Sequence, residues 1–216
     1  EDTLKGDILL NIDNETMGEF VIGSAGGVNI SATMQYKEVE PEEGDVAVKV
    51  TLKNLRGSHS GLEINQGRAN ANKLMARFVR QAIADDEARL ASWSGGNMRN
   101  AIPRTAQVVL TVPAENLEDL KDLVAYCEGV FANEFYGVEE GISLTLEQTE
   151  MPAGEVPVEI QDNLVDALMA CHDGVLRNIP SIPSVVETSS NLGIVEIGSG
   201  EAKVLILARS SNDTMM

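Results

Sequence analysis

His59 is the residue whose surroundings point most clearly to chemistry. It lies in residues 56–61, where glycine and serine on both sides leave the imidazole ring accessible. A helix is predicted to begin soon afterwards, and helix N-termini favour anions. A histidine there can donate a hydrogen bond to an oxygen that becomes negative in a transition state. The alternative is a loop histidine that only caps the helix.

Asp13 is a lone carboxylate at the end of an apolar run, residues 9–12. Metal ligands are common at such strand ends, because the strand fixes the carboxylate while its end opens into a cleft. The simpler alternative is an aspartate that caps a turn. Zinc takes about four ligands, of which at least three usually come from protein. The chain has 2 histidines, and Asp13 is therefore not expected to hold zinc alone.

Two polar residues far apart in the sequence could bind a carboxylate group. Arg209 follows an apolar strand, and its planar guanidinium can form two parallel hydrogen bonds to a carboxylate. Asn100 lies in residues 97–104, close to a proline, and its amide could bind a carboxylate or a peptide backbone. An exposed arginine and a turn asparagine without any ligand are the simpler alternatives.

Hydrophobic periodicity predicts the elements that must position these residues. The predicted strands span 28–36, 46–52, 89–93, 106–112, 142–146, 193–197 and 203–208, and the predicted helices span 69–84, 117–131 and 158–175. From Val46 onwards the order is β-α-β-β-α-β, which is a ferredoxin-like α+β fold with two helices on one face of an antiparallel sheet. An extra strand precedes this unit, and a helix plus a hairpin follow it. We therefore expect a sheet of about six or seven strands.

Charge and composition narrow the possible partners. The chain has 216 residues, with 34 acidic against 16 basic side chains and a net charge of −18. Nucleic acids and anionic membranes require basic surfaces, so we expect neither as a partner. The apolar runs are far shorter than the roughly 20 residues that cross a bilayer. Two cysteines without metal-type spacing favour a reduced, cytoplasmic compartment.

The sequence motifs around Asp13, His59, Asn100 and Arg209 together resemble those of the aminoacyl-histidine dipeptidase (cytosol non-specific dipeptidase) family. Members of that family are two-zinc peptidases in which a lid domain is inserted into a catalytic domain. The resemblance runs along nearly the whole chain. It implies that residues 1–27 are the tail of the catalytic domain and a hinge, that 28–208 form the lid, and that 209–216 return towards the catalytic domain.

The resemblance also implies a role for each candidate residue. Asp13 would bind one of two zinc ions, and His59 would be the catalytic donor to the oxyanion. Asn100 and Arg209 would bind the carboxylate of a dipeptide substrate. The remaining zinc ligands and the general base would lie in the rest of the catalytic domain, so this chain alone is expected to be inactive. Relatives of this class also suggest a homodimer formed through the lid.

Two other interpretations remain open from the sequence. The same two-metal scaffold serves deacylases and carboxypeptidases, whose lids would resemble this one. The chain could also be a non-enzymatic ferredoxin-like module that dimerises or binds small molecules. That second interpretation predicts that Asp13 and His59 are dispensable.

Overall fold

Ten strands and three α-helices form the part of the chain that the computed structural model describes, residues 6–8, 10, 17–18 and 23–216. The strands are β1 (Gly26–Gln35), β2 (Asp45–Lys53), β3 (Ser58–His59), β4 (Arg89–Gly95), β5 (Ala101–Ile102), β6 (Ala106–Pro113), β7 (Ser143–Gln148), β8 (Gly174–Ile179), β9 (Ile182–Gly198) and β10 (Glu201–Ser210). The helices are α1 (Ala71–Asp86), α2 (Leu117–Glu134) and α3 (Val158–Ala170).

The centre of the fold is the ferredoxin-like unit β2-α1-β4-β6-α2-β7. Its strands lie in the order β4-β6-β2-β7, and every neighbouring pair is antiparallel. Val48, Val50 and Leu52 alternate along β2 and are fully buried beneath the helices, as their period of two requires. The predicted α+β class and ferredoxin-like order are confirmed.

Later parts of the chain extend this sheet. β9 pairs with β4, β10 pairs with β9, and β1 pairs with β10 along its whole length to form an edge. With β8, which pairs with another part of β9, the sheet has eight strands among the described residues rather than the six or seven expected. The extra strand before the central unit and the hairpin at its end are both present. The division into residues 1–27, 28–208 and 209–216 stays a prediction.

The segment after α3 differs from the prediction. The helix expected over 158–175 ends at Ala170, and the following residues form β8. Lys73 donates hydrogen bonds of 2.7–2.8 Å to the carbonyls of Leu168, Met169 and Cys171. These bonds give a donor to carbonyls at the end of the helix that have no partner within it. Gly174 then has a φ of +99°, which helical residues do not adopt. The apolar residues beyond it pair with β9 instead.

The helices share one face of the sheet and one hydrophobic core. α1 contacts both α2 and α3, and its fully buried Phe78 and Met75 belong to the same cluster as the β2 and β6 side chains. Asn70 begins α1, where its Oδ1 accepts from the backbone N–H groups of Asn72 (2.9 Å) and Lys73 (3.4 Å). No helix in the described part of the chain is long and apolar enough to cross a membrane.

Candidate functional site

The loops of His59 and Asn100 lie side by side because two very short strands pair. In the antiparallel pair of β3 and β5, His59 lies opposite Ala101. The backbone N–H of Ser60 also donates to the carbonyl of Asn100 at 2.9 Å. Two candidate residues from separate parts of the sequence are thereby brought into one place.

The His59 ring is held by its own loop. Its Nδ1 accepts hydrogen bonds from the backbone N–H groups of Gly61 (3.2 Å) and Leu62 (3.1 Å). A ring nitrogen that accepts carries no hydrogen, so the neutral imidazole has its hydrogen on Nε2. The side chain is exposed, and this geometry leaves Nε2–H as a donor. The ring is therefore oriented by backbone contacts to donate rather than to accept.

Arg209, from the end of β10, meets His59 across Gly61. A methyl group on Gly61 would lie 3.1 Å from Cε1 of His59 and 3.2 Å from both Cζ and Nε of Arg209, closer than ordinary van der Waals contact. Gly61 thus allows the imidazole and the guanidinium to approach. The Nε of Arg209 is buried and has no hydrogen-bond partner among the described residues. The guanidinium keeps hydrogen-bonding capacity that no described side chain uses.

Asn100 and Arg209 line the same cleft, which we call the Asn100 cleft and which has a volume of about 530 Å³. Its other lining residues are Gly27, Asn29, Asn97, Met98, Arg99, Ile194, Leu205 and Leu207. The charged members of this described lining are two arginines, Arg99 and Arg209, in a chain whose net charge is −18. A concave surface with two guanidinium groups and three asparagine amides suits a small anion that also presents polar backbone groups.

The predicted metal ligand, Asp13, lies outside the described residues. Within residues 6–8, 10, 17–18 and 23–216, no group of three or more histidine, cysteine, aspartate or glutamate side chains is placed to hold a metal ion. The described residues by themselves therefore do not form a zinc site.

The structure brings together three of the four residues proposed from the sequence, and it adds others that the sequence did not suggest. Gly61 separates His59 from Arg209, and Arg99 supplies the second positive charge of the cleft. A local signal for Gly61 was available, since a histidine followed two residues later by glycine can bond its own backbone. No local signal distinguishes Arg99 from any other surface arginine.

Comparison with known proteins agrees with this architecture. Residues 50–139 match the model of the peptidase dimerisation domain, M20_dimer. The chain is 35% identical over 211 residues to the cytosol non-specific dipeptidase of Escherichia coli (strain K12), covering 98% of this chain and 44% of that protein. It is 38% identical to the crystal structure of aminoacylhistidine dipeptidase from Vibrio alginolyticus, with a TM-score of 0.90 over 99% of this chain and 44% of that one.

The chain thus spans less than half the length of each of these two relatives. The match in structure extends beyond the dimerisation domain to the added strands on which the Asn100 cleft lies. The resemblance noted in the sequence is confirmed: over nearly its whole length the chain is similar to these two dipeptidases, and its residues 50–139 match the peptidase dimerisation domain.

Proposed function

We propose that this chain is the lid of a zinc-dependent dipeptidase that hydrolyses Xaa-His and other dipeptides. The observation that carries the proposal is the proximity of His59, Asn100 and Arg209, which come from three distant parts of the sequence. Asn100 and Arg209 line one cleft, and His59 lies beside the Asn100 loop in the β3–β5 pair and approaches Arg209 at Gly61. The names of the two relatives, both dipeptidases, support the same class of substrate.

Arg209 and Asn100 would bind the C-terminal carboxylate of the dipeptide. A free carboxylate is the group that all dipeptides share, and a guanidinium binds it with two parallel charge-assisted hydrogen bonds. The Nε of Arg209, which has no partner in the part of the chain that the structure describes, and the positive lining of the cleft support this role. Enzymes that require such a carboxylate act on the ends of short peptides.

His59 would donate from Nε2–H to the carbonyl oxygen of the scissile peptide bond. Negative charge develops on that oxygen as the tetrahedral intermediate forms, so the hydrogen bond strengthens in the transition state. The two backbone N–H groups that bind Nδ1 keep the ring in the donating tautomer throughout. His59 would therefore need no proton transfer of its own.

The metal centre is proposed for the whole enzyme. Two zinc ions would be held by Asp13 together with residues that this chain does not supply, and the general base would also come from the rest of the catalytic domain. We accordingly expect the chain by itself to be inactive. The name of the Escherichia coli relative places that protein in the cytosol, and we propose a cytoplasmic location here as well.

A homodimer through the lid is proposed from the dimerisation-domain match. The edge strand β1 is exposed and includes the apolar side chains Val28 and Ile30, and such an edge can pair with a second copy. Light scattering of the purified protein should give twice the chain mass. A monomer at high concentration would contradict the dimer without affecting the proposed chemistry.

The test of the proposed function is hydrolysis of an Xaa-His dipeptide by a full-length protein that contains this chain. His59→Ala should lower turnover by about a hundredfold or more, the loss typical of an oxyanion donor, with bound zinc unchanged. His172→Ala is the matched control, because His172 is also exposed and bonds Ser190 at 2.9 Å. A native protein that cleaves N-acyl amino acids but no dipeptides would favour a deacylase instead.

A further inference from the structure

Asn191 holds the loop that contains Asn100. It lies on β9, is 1% exposed, and its Nδ2 donates hydrogen bonds of 2.9 Å to the carbonyls of both Arg99 and Ala101. These are the carbonyls immediately before and after Asn100. One amide nitrogen therefore fixes the backbone on each side of the residue proposed to bind substrate.

The same loop packs directly against the backbone of β9. A side chain at Gly193 would lie 2.9 Å from both Cα and the carbonyl oxygen of Arg99, so the two backbones touch where glycine permits it. This close approach brings the Arg99 and Ala101 carbonyls within reach of the short Asn191 side chain. Asn191 lies two residues before that glycine, and its Nδ2 reaches both carbonyls.

Asn191 also lies where the parts of the proposed site join. Ser189, two residues earlier on β9, is opposite Arg209 on β10. Ala101, whose carbonyl Asn191 binds, is opposite His59 in the β3–β5 pair. The side chain of Asn191 thus connects β9, whose neighbour β10 contains Arg209, to the loop of Asn100 and the short strand of His59.

Asn191 has a further unusual feature. Its Oδ1 is buried without a hydrogen-bond partner among the described residues. A buried unpaired carbonyl oxygen is costly, and such groups are rare in folded proteins. An apolar residue would avoid that cost but would release the Arg99 and Ala101 carbonyls.

We infer that Asn191 is a positioning residue, which holds Asn100 and the His59 strand pair against Arg209. This inference rests on the proposed function of those residues. Asn191 itself touches the loop backbone and acts on a substrate only through its neighbours. Misplacing a substrate-binding group by about 1 Å can lower activity by roughly 100-fold.

The kinetic test uses the full-length protein and an Xaa-His dipeptide. Asn191→Ala should lower kcat/KM by roughly 10–100-fold, because Asn100 would be misplaced. Asn191→Asp should be at least as damaging, because it replaces the donor by a carboxylate oxygen that faces two carbonyls. The matched control is Asn116→Ala, since Asn116 likewise donates from Nδ2 to a backbone carbonyl, that of Asp86 at 3.1 Å, but lies at the start of α2. The control should leave kcat/KM unchanged.

A double variant separates positioning from general destabilisation. If Asn191 acts through Asn100, the kcat/KM of the Asn100→Ala, Asn191→Ala double variant should be close to that of the worse single variant. Once the Asn100 side chain is absent, losing the residue that positions it should have little further effect. Losses that multiply, or an Asn191→Ala protein within about twofold of native, would overturn the inference.

A native protein that cleaves no dipeptide would contradict the proposed function. Amide hydrogen exchange of the chain would still test whether Asn191 holds the loop. The Ser60 N–H, which donates to Asn100, should exchange about tenfold faster in Asn191→Ala than in Asn116→Ala. Equal exchange in residues 58–60 and 98–102 of the two variants would show that Asn191 does not hold this loop.

Discussion

Replacing Arg209 by methionine should remove carboxylate recognition while leaving the fold intact. Among the described residues Arg209 has no carboxylate within ion-pair distance, and its Nε is unpartnered, so the substitution breaks no internal salt bridge. Methionine keeps an unbranched side chain of similar length against Gly61. The free energy of unfolding should therefore change by less than about 1 kcal/mol.

The expected kinetic loss follows from the bonds that disappear. A hydrogen bond to a charged group contributes about 1.5–3 kcal/mol, and two that act together on one carboxylate contribute roughly 3–4 kcal/mol. At about 1.4 kcal/mol for each factor of ten, Arg209→Met should lower kcat/KM for a dipeptide by roughly 10²–10³-fold. The assay is hydrolysis of one Xaa-His dipeptide by the native and variant full-length proteins at matched zinc occupancy.

The dipeptide amide provides the decisive comparison, because it has no C-terminal carboxylate for Arg209 to bind. Native protein should cleave the amide poorly. Arg209→Met should lower that residual rate by no more than about threefold, since Arg209 and the C-terminal amide of the substrate do not form the ion pair. Arg80→Met controls for the lost charge: Arg80 is exposed on α1 and pairs with Asp166. Equal losses of Arg209→Met on the free acid and on the amide would refute carboxylate recognition.

Two further substitutions test the geometry of the site and a buried group away from it. Gly61→Ala would place a methyl 3.1–3.2 Å from His59 and Arg209, and we expect kcat/KM to fall by roughly tenfold with little change in melting temperature; unchanged kinetics would mean that the two side chains need not approach there. Burial raises the pKa of the Glu155 carboxyl above its usual range, although the Thr111 hydroxyl donates to it and opposes the shift. Because the folded state holds this proton more tightly than the unfolded state does, its contribution to stability is complete below the ordinary glutamate pKa and is lost as pH rises through the raised pKa. Denaturant titrations should show that slope in the native protein and a flatter profile in Glu155→Gln; identical profiles would show that Glu155 is not the group responsible.

The elements of the central unit could be predicted because their signals are local. Alternating valines identify β2, and Asn70 followed by apolar residues at helical spacing identifies the start of α1. β8 and the first half of β9 could not be predicted in this way. Their hairpin depends on pairing between the two strands. Residues 187–191 of β9 are polar although most of them are buried, so they lack the apolar pattern that identifies a buried strand.

The sequence by itself determined the types of the site residues: an exposed histidine between small residues, an asparagine near a proline, and an arginine at a strand end. It also determined the family resemblance, which rests on the sequence motifs around those residues. Only the tertiary structure decided that His59, Asn100 and Arg209 meet, because their proximity depends on the register of β3 with β5 and on the close packing of residues 99–101 against β9. These contacts join residues about 40 to 150 positions apart, and no local pattern in a single sequence encodes such pairings.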